Sequence, residues 1–177
     1  MIIQRKGFKV MTPADEGIEF FDRDSSEWEL SLKDYTIFLA GPCPRDDYNR
    51  DWRYEAFDLL EKYEFEGLVF SPTNCTFVKN DIEYLKKQVT WETTAMNCAD
   101  LVVFWIPRTE KDLGLTTNIE IGTFLNESNF LLYEVGMPDN AIKNDYLKIR
   151  LNKQGKPWYT SLEDLMKKVV KRSKNEW

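Results

Sequence analysis

A chain of 177 residues with a formal net charge of −6 is sized for one domain with a real core, and its acidity argues against a nucleic-acid polymer as partner. It contains no histidine, which excludes a Ser-His-Asp triad, a Cys-His pair and a His-ligated metal site, and leaves acid and base chemistry to carboxylates, Tyr, Lys or Cys. Its three scattered cysteines, Cys43, Cys75 and Cys98, form no Cys-x-x-Cys pair and read as reduced thiols, and no apolar run approaches the ~20 residues of a membrane span.

With no signal-peptide core at its start either, the sequence predicts a soluble, cytoplasmic protein whose partner is a small molecule or another protein. Residues 1–34 place apolar side chains loosely around Ile2, Ile3, Phe8 and Val10 and again around Ile18, Phe20 and Phe21, with Pro13 and Gly17 between them. This predicts a short N-terminal β appendage, a hairpin or a single strand, ahead of an α/β domain over 35–177. Tyr35 to Ala40 is the first buried strand, and Gly41-Pro42-Cys43-Pro44-Arg45 leaves it as a loop that its prolines keep from being helical.

Between Asn49 and Tyr63 the apolar residues Trp52, Ala56, Leu59 and Leu60 recur at helical spacing, with Arg and Glu between them. Gly67 to Phe70 is a second strand, and Asp81 to Ala99 a second crossover helix carrying Ile82, Leu85, Val89 and Met96. Asp100 opens the third strand, an uninterrupted apolar run ended by Pro107, as a strand buried on both faces reads. Thr117 with Glu120 three positions on fits a capping box and predicts a helix from about residue 118. Phe130 to Val135 is a fourth strand, Tyr146 to Leu151 a fifth, and Leu162 to Val170 a closing helix.

Strands and helices in alternation imply parallel pairing with right-handed crossovers, hence a flavodoxin-like or Rossmann-like three-layer sandwich with a five-stranded, mostly parallel sheet. In strand order 2-1-3-4-5 the loops after the first and third strands face each other across one crevice, the usual place for a ligand. Arg45 and Arg108 both border it and are a candidate anion-binding pair. Glu120 arrives there at a helix start, where the macrodipole favours a carboxylate, although capping alone also accounts for it. Glu92 shares a helical face with Gln88, and a solvated surface role is the plainer explanation for it. Asp100 sits at a helix-to-strand corner, where turn chemistry suffices to explain it.

Taken together, several segments resemble the nucleoside 2-deoxyribosyltransferase superfamily, in particular its branch of short deoxyribosyltransferase-like proteins. They are Ile37-Phe38-Leu39-Ala40-Gly41-Pro42 with Arg45, Asp51-Trp52-Arg53-Tyr54-Glu55-Ala56, Trp91-Glu92, Ala99-Asp100, Phe104-Trp105-Ile106-Pro107-Arg108, Gly114 to Gly122, and Gly136-Met137-Pro138. The resemblance implies that Glu120 is a nucleophile, that Glu92 contacts substrate and assists proton transfer, and that no metal or organic cofactor is needed. Characterised members often carry a Tyr on the first strand to orient the nucleophile, and its counterpart here is Phe38. Gly41, Pro42, Arg45, Arg108, Gly114, Thr117, Asn118 and Asp100 are the candidate substrate-binding residues, Asn118 toward a sugar hydroxyl. Members commonly complete the site with a neighbouring subunit, so a homo-oligomer is implied. The expected activity is transfer or hydrolysis at the N-glycosidic bond of a (deoxy)nucleoside or its monophosphate; the alternative is a non-catalytic nucleotide-binding or sensing module on the same fold.

Overall fold

The computed structural model describes residues 2–13, 34–44, 51–73, 81–126 and 132–175. Among them are six strands, β1 (Ile2–Gln4), β2 (Phe8–Met11), β3 (Thr36–Ala40), β4 (Gly67–Phe70), β5 (Leu101–Trp105) and β6 (Tyr133–Gly136). Five helices join them, α1 (Trp52–Lys62), α2 (Ile82–Cys98), α3 (Leu115–Phe124), α4 (Asp145–Lys153) and α5 (Leu162–Ser173). The strands make one sheet in the order β1-β2-β4-β3-β5-β6, antiparallel between β1 and β2 and parallel elsewhere.

Period-two geometry explains why the central strands are apolar throughout. Ile37 and Leu39 point into the layer of α1 and α5, while Phe38 and Ala40 point into the layer of α2, α3 and α4, so both faces of β3 are covered. Val103 and Phe104 of β5 divide in the same way. Phe104 meets Phe124 edge to face at 5.4 Å and Phe70 meets Trp91 at 6.4 Å, which docks α3 and α2 on the sheet.

The three-layer sandwich and the run β4-β3-β5-β6 are those expected from the sequence. Two elements differ. The N-terminal hairpin is continuous with the sheet, because β2 pairs parallel to β4 and buries Phe8 and Val10 in the core; Ile18, Phe20 and Phe21 lie outside the described residues. Residues 146–151, expected as a fifth strand, are instead the body of α4. The alternating Leu147, Ile149 and Leu151 suggested a strand, but only Leu147 and Leu151 are buried, one helical turn apart, while Asp145 in the first turn and Arg150 and Lys153 in the last complement the helix dipole. Among the described residues, what lies on the outer side of β6 is one parallel bridge to Tyr159, which donates from its N–H to Val135 O at 2.9 Å and accepts from Met137 N at 2.7 Å.

No helix among the described residues is long and apolar enough to cross a membrane.

Candidate active site

The chain leaves β3 and β5 side by side at their carboxyl ends, and two glycines set how closely the exit loops meet. Gly41, with φ +150°, lies against the Trp105 carbonyl, which a Cβ would approach to 2.1 Å. Gly114, with φ +58°, lies against Pro42, whose Cγ a Cβ would approach to 2.5 Å. The crevice between these loops therefore has Gly41 and Pro42 on one wall and Gly114 and the start of α3 on the other.

Helix α3 begins earlier than the sequence suggested, and for that reason the capping box does not form. Its N-cap is Gly114 in the left-handed region, with no side-chain cap, which places Thr117 in the third helical position and Glu120 a turn inside the helix. Thr117 is fully buried and its Oγ1 has no hydrogen-bond partner among the described residues. Freed from capping, the Glu120 carboxylate makes no hydrogen bond or ion pair among the described residues, and its electrostatic surroundings are Glu92 and Arg53.

Glu92 comes from the middle of α2, directly after the buried Trp91, and accepts a hydrogen bond from Gln88 Nε2 at 2.9 Å, as their spacing on one helical face predicted. It is half-buried, not solvated. Burial raises its carboxyl above the usual range, while the Gln88 contact and Arg53 oppose the rise. Glu120 is pushed up to about 7, first by burial, then by the negative charge of Glu92, with Arg53 again opposing. Glu120 is the more strongly raised of the two, so near neutral pH it holds a proton that an exposed carboxyl would have released.

Arg53 was not among the expected site residues. In the second position of α1 it falls among the polar residues of an amphipathic pattern, yet it is fully buried. Its Nε donates to Leu39 O at 3.1 Å, Nη2 to Gly41 O at 2.7 Å, and Nη1 to Pro42 O at 3.4 Å and Asp51 Oδ1 at 3.2 Å. Asp51 is also the N-cap of α1, accepting from Arg53 N at 3.0 Å, and Trp52 Nε1 donates to Pro42 O at 3.1 Å. The signal was present only as the triplet Asp51-Trp52-Arg53.

The other expected site residues divide. Arg108 is buried at the carboxyl edge, where Nη1 donates to Lys143 O at 3.0 Å and Nη2 to Asn118 Oδ1, and where Nε has no partner among the described residues. Among the described residues no carboxylate pairs with Arg108, and burial lowers its pKa. Arg45 lies outside the described residues. Asp100 is at the opposite, amino edge of the sheet, where its Oδ2 accepts from Thr36 N at 2.7 Å and Thr36 Oγ1 at 2.8 Å. That contact ties the starts of β3 and β5 together, so Asp100 is a sheet clamp and does not reach the crevice. Phe38, packed on Trp91 at 6.2 Å, brings no hydroxyl to it. Cys43 and Cys98 form no disulfide among the described residues, and Cys75 lies outside them.

Among the described residues no group of Cys, Asp and Glu gathers at metal-binding spacing. Comparison with curated proteins gives no match. The family model described as nucleoside 2-deoxyribosyltransferase like matches residues 34–133, which takes in β3 through the start of β6 and both carboxylates. With that match over more than half its length, the chain belongs to the nucleoside 2-deoxyribosyltransferase-like family of nucleoside-acting enzymes.

Proposed function

We propose that the protein cleaves the N-glycosidic bond of a (deoxy)nucleoside or its monophosphate by double displacement through Glu120. The observation that carries this reading is Glu120 on the helix that follows β5, beside the β3–β5 switch point, desolvated and raised further by the charge of Glu92. In the first step Glu120 attacks the anomeric carbon, the C–N bond breaks, and the base leaves with the electron pair and takes a proton from Glu92. In the second, water or an acceptor base attacks the glycosyl-enzyme from the same face as Glu92 receives its proton, and the bond to Glu120 breaks. Water completes a hydrolase and a second base completes a transferase.

Incubation with a panel of nucleosides and nucleotides tests the reading: free base appears, and a slow substrate leaves a sugar adduct on the chain by mass spectrometry. A protein that binds nucleotides and releases no base is instead a sensing module, the reading that Phe38 without its hydroxyl favours. A second consequence is a bell-shaped pH profile of kcat/KM. The singly protonated pair is the working form, reached when its proton passes from Glu120 to Glu92, so activity declines as pH rises through about 7, where Glu120 loses that proton, and declines again in acid as both carboxyls become neutral. A flat profile from pH 5 to 9 excludes the pair as acid and nucleophile.

Arg108, buried without a carboxylate, supports recognition of a 5′-phosphate, with Arg45 as its companion from the facing loop. A charge-assisted contact is worth roughly 1.5–3 kcal/mol, so monophosphates are expected to bind about 10- to 100-fold better than nucleosides, and Arg108→Ala to remove most of that preference. An unchanged ratio in Arg108→Ala assigns the residue to tying Lys143 to α3. Leu115 and Ile119 on α3, Ile82, Leu85 and Val89 on α2, and Tyr146 and Ile149 on α4 are exposed on the helix layer that carries Glu92 and Glu120. They support assembly through this layer into a homo-oligomer.

A further inference from the structure

Arg53 is joined to more of the crevice than any side chain assigned to the chemistry above. Its guanidinium has no exposed surface, and three of its partners are carbonyls, that of Leu39 near the end of β3 and those of Gly41 and Pro42 in the loop beyond it, where the oxygens need other donors. Nη1 also lies 3.5 Å from Cys43 Sγ. The planar fork thus meets consecutive parts of one turn, a pattern that a point-like ammonium cannot reproduce. Stacking on the Trp52 ring, with the guanidinium carbon 4.7 Å from its centroid, fixes the plane of the fork.

Among the described residues the titratable groups around this guanidinium are Asp51 at the start of α1, Cys43 on the turn, and Glu120 across the crevice. Its charge also reaches Glu92 on α2. Asp51 is its ion-pair partner at 3.2 Å, and Arg53 is the cation that acts on both carboxylates.

We infer that Arg53 is the positioning residue of the crevice: it fixes the Gly41–Cys43 turn through the turn's own carbonyls and keeps one buried positive charge in the wall of the crevice. This rests on the reading of Glu92 and Glu120 as the reacting pair. Arg53 touches no substrate atom in this role. Because it acts through the turn and through its field, the two parts separate in two variants. Arg53→Gln removes the charge and keeps an amide donor; Arg53→Lys keeps the charge and loses the fork.

The test titrates the glutamate carboxyl carbons by NMR in wild type and both variants, with Glu120→Gln and Glu92→Gln used to assign the signals, and measures base release and the rate of Cys43 alkylation alongside. In Arg53→Gln the Glu120 midpoint is expected to move up by about half a unit to one unit, the scale of one charge acting through a partly solvated crevice. In Arg53→Lys the midpoint stays, kcat falls about 10- to 100-fold with little change in KM, and Cys43 is alkylated faster as the turn loosens. An unmoved midpoint in Arg53→Gln overturns the electrostatic part. Wild-type kcat and alkylation rate in Arg53→Lys overturn the positioning part, and this variant decides the matter if Arg53→Gln does not fold. If wild type releases no base from any substrate, the proposed reaction fails, while the titration and alkylation still judge Arg53.

Discussion

Glu120→Gln is expected to lose base release by about 10⁴-fold or more and to form no sugar adduct, while retaining nucleotide binding. Gln is close in shape to Glu but its amide cannot attack an anomeric carbon. Because Glu120 caps nothing in α3, the substitution disturbs no helix terminus. Its effect on stability runs the other way. Folding raises the Glu120 carboxyl from its ordinary value near 4.5 to about 7, so across that window the folded protein holds a proton that the unfolded chain releases, and wild-type stability declines as pH rises. Gln is neutral throughout. The variant should therefore match wild type at pH 4 and melt higher at pH 8, by roughly 3–8 °C for a penalty of about 1–3 kcal/mol. Melting curves at the two pH values check the sign; equal melting temperatures at both would place the carboxylate in water, and near-normal turnover would remove it from the chemistry.

Gly41→Ala is expected to damage both fold and site. At φ +150° an added methyl lies 2.1 Å from the Trp105 carbonyl oxygen and 3.1 Å from the Trp52 ring, and both neighbours belong to packed elements that cannot turn aside. Strain of this kind costs about 2–4 kcal/mol, which lowers Tm by roughly 5–15 °C in a chain of this size. Relief of the clash pushes the turn away from β5, and with it Pro42 from Gly114, so activity should fall even well below the melting temperature. A variant within 2 °C or so of wild type, with full activity, would mean that the loop has room the packing does not suggest.

How much of this could be read in advance depended on whether the deciding interaction was local. Buried strands such as Leu101–Trp105 announce themselves, because a continuous apolar run has few other ways to be satisfied. The Gln88 to Glu92 contact follows from helical spacing alone. The start of α3 was misjudged because Gly114 fits against Pro42, a residue distant in sequence, and that contact outweighed the local Thr117 and Glu120 pattern. Arg53 was misread for a similar reason: its environment is made by carbonyls at the end of another element. Asp100 was misplaced because adjacency in sequence to a helix end says nothing of which edge of the sheet it faces. The contact with Thr36, 64 positions earlier, decides that.

The bridge from Tyr159 to the outer side of β6 has a bearing on how the protein behaves in a crowded solution. An unpaired strand margin invites another chain to add to it, and this one would expose the free backbone of β6 along its length. By occupying the Val135 carbonyl and the Met137 N–H, the Tyr159 backbone removes the two groups a foreign strand would dock on first, at the end nearest the crevice. One residue, placed by the turn between α4 and α5, thus guards against fibrous self-association at a margin where a full sixth parallel strand is often found in such sheets.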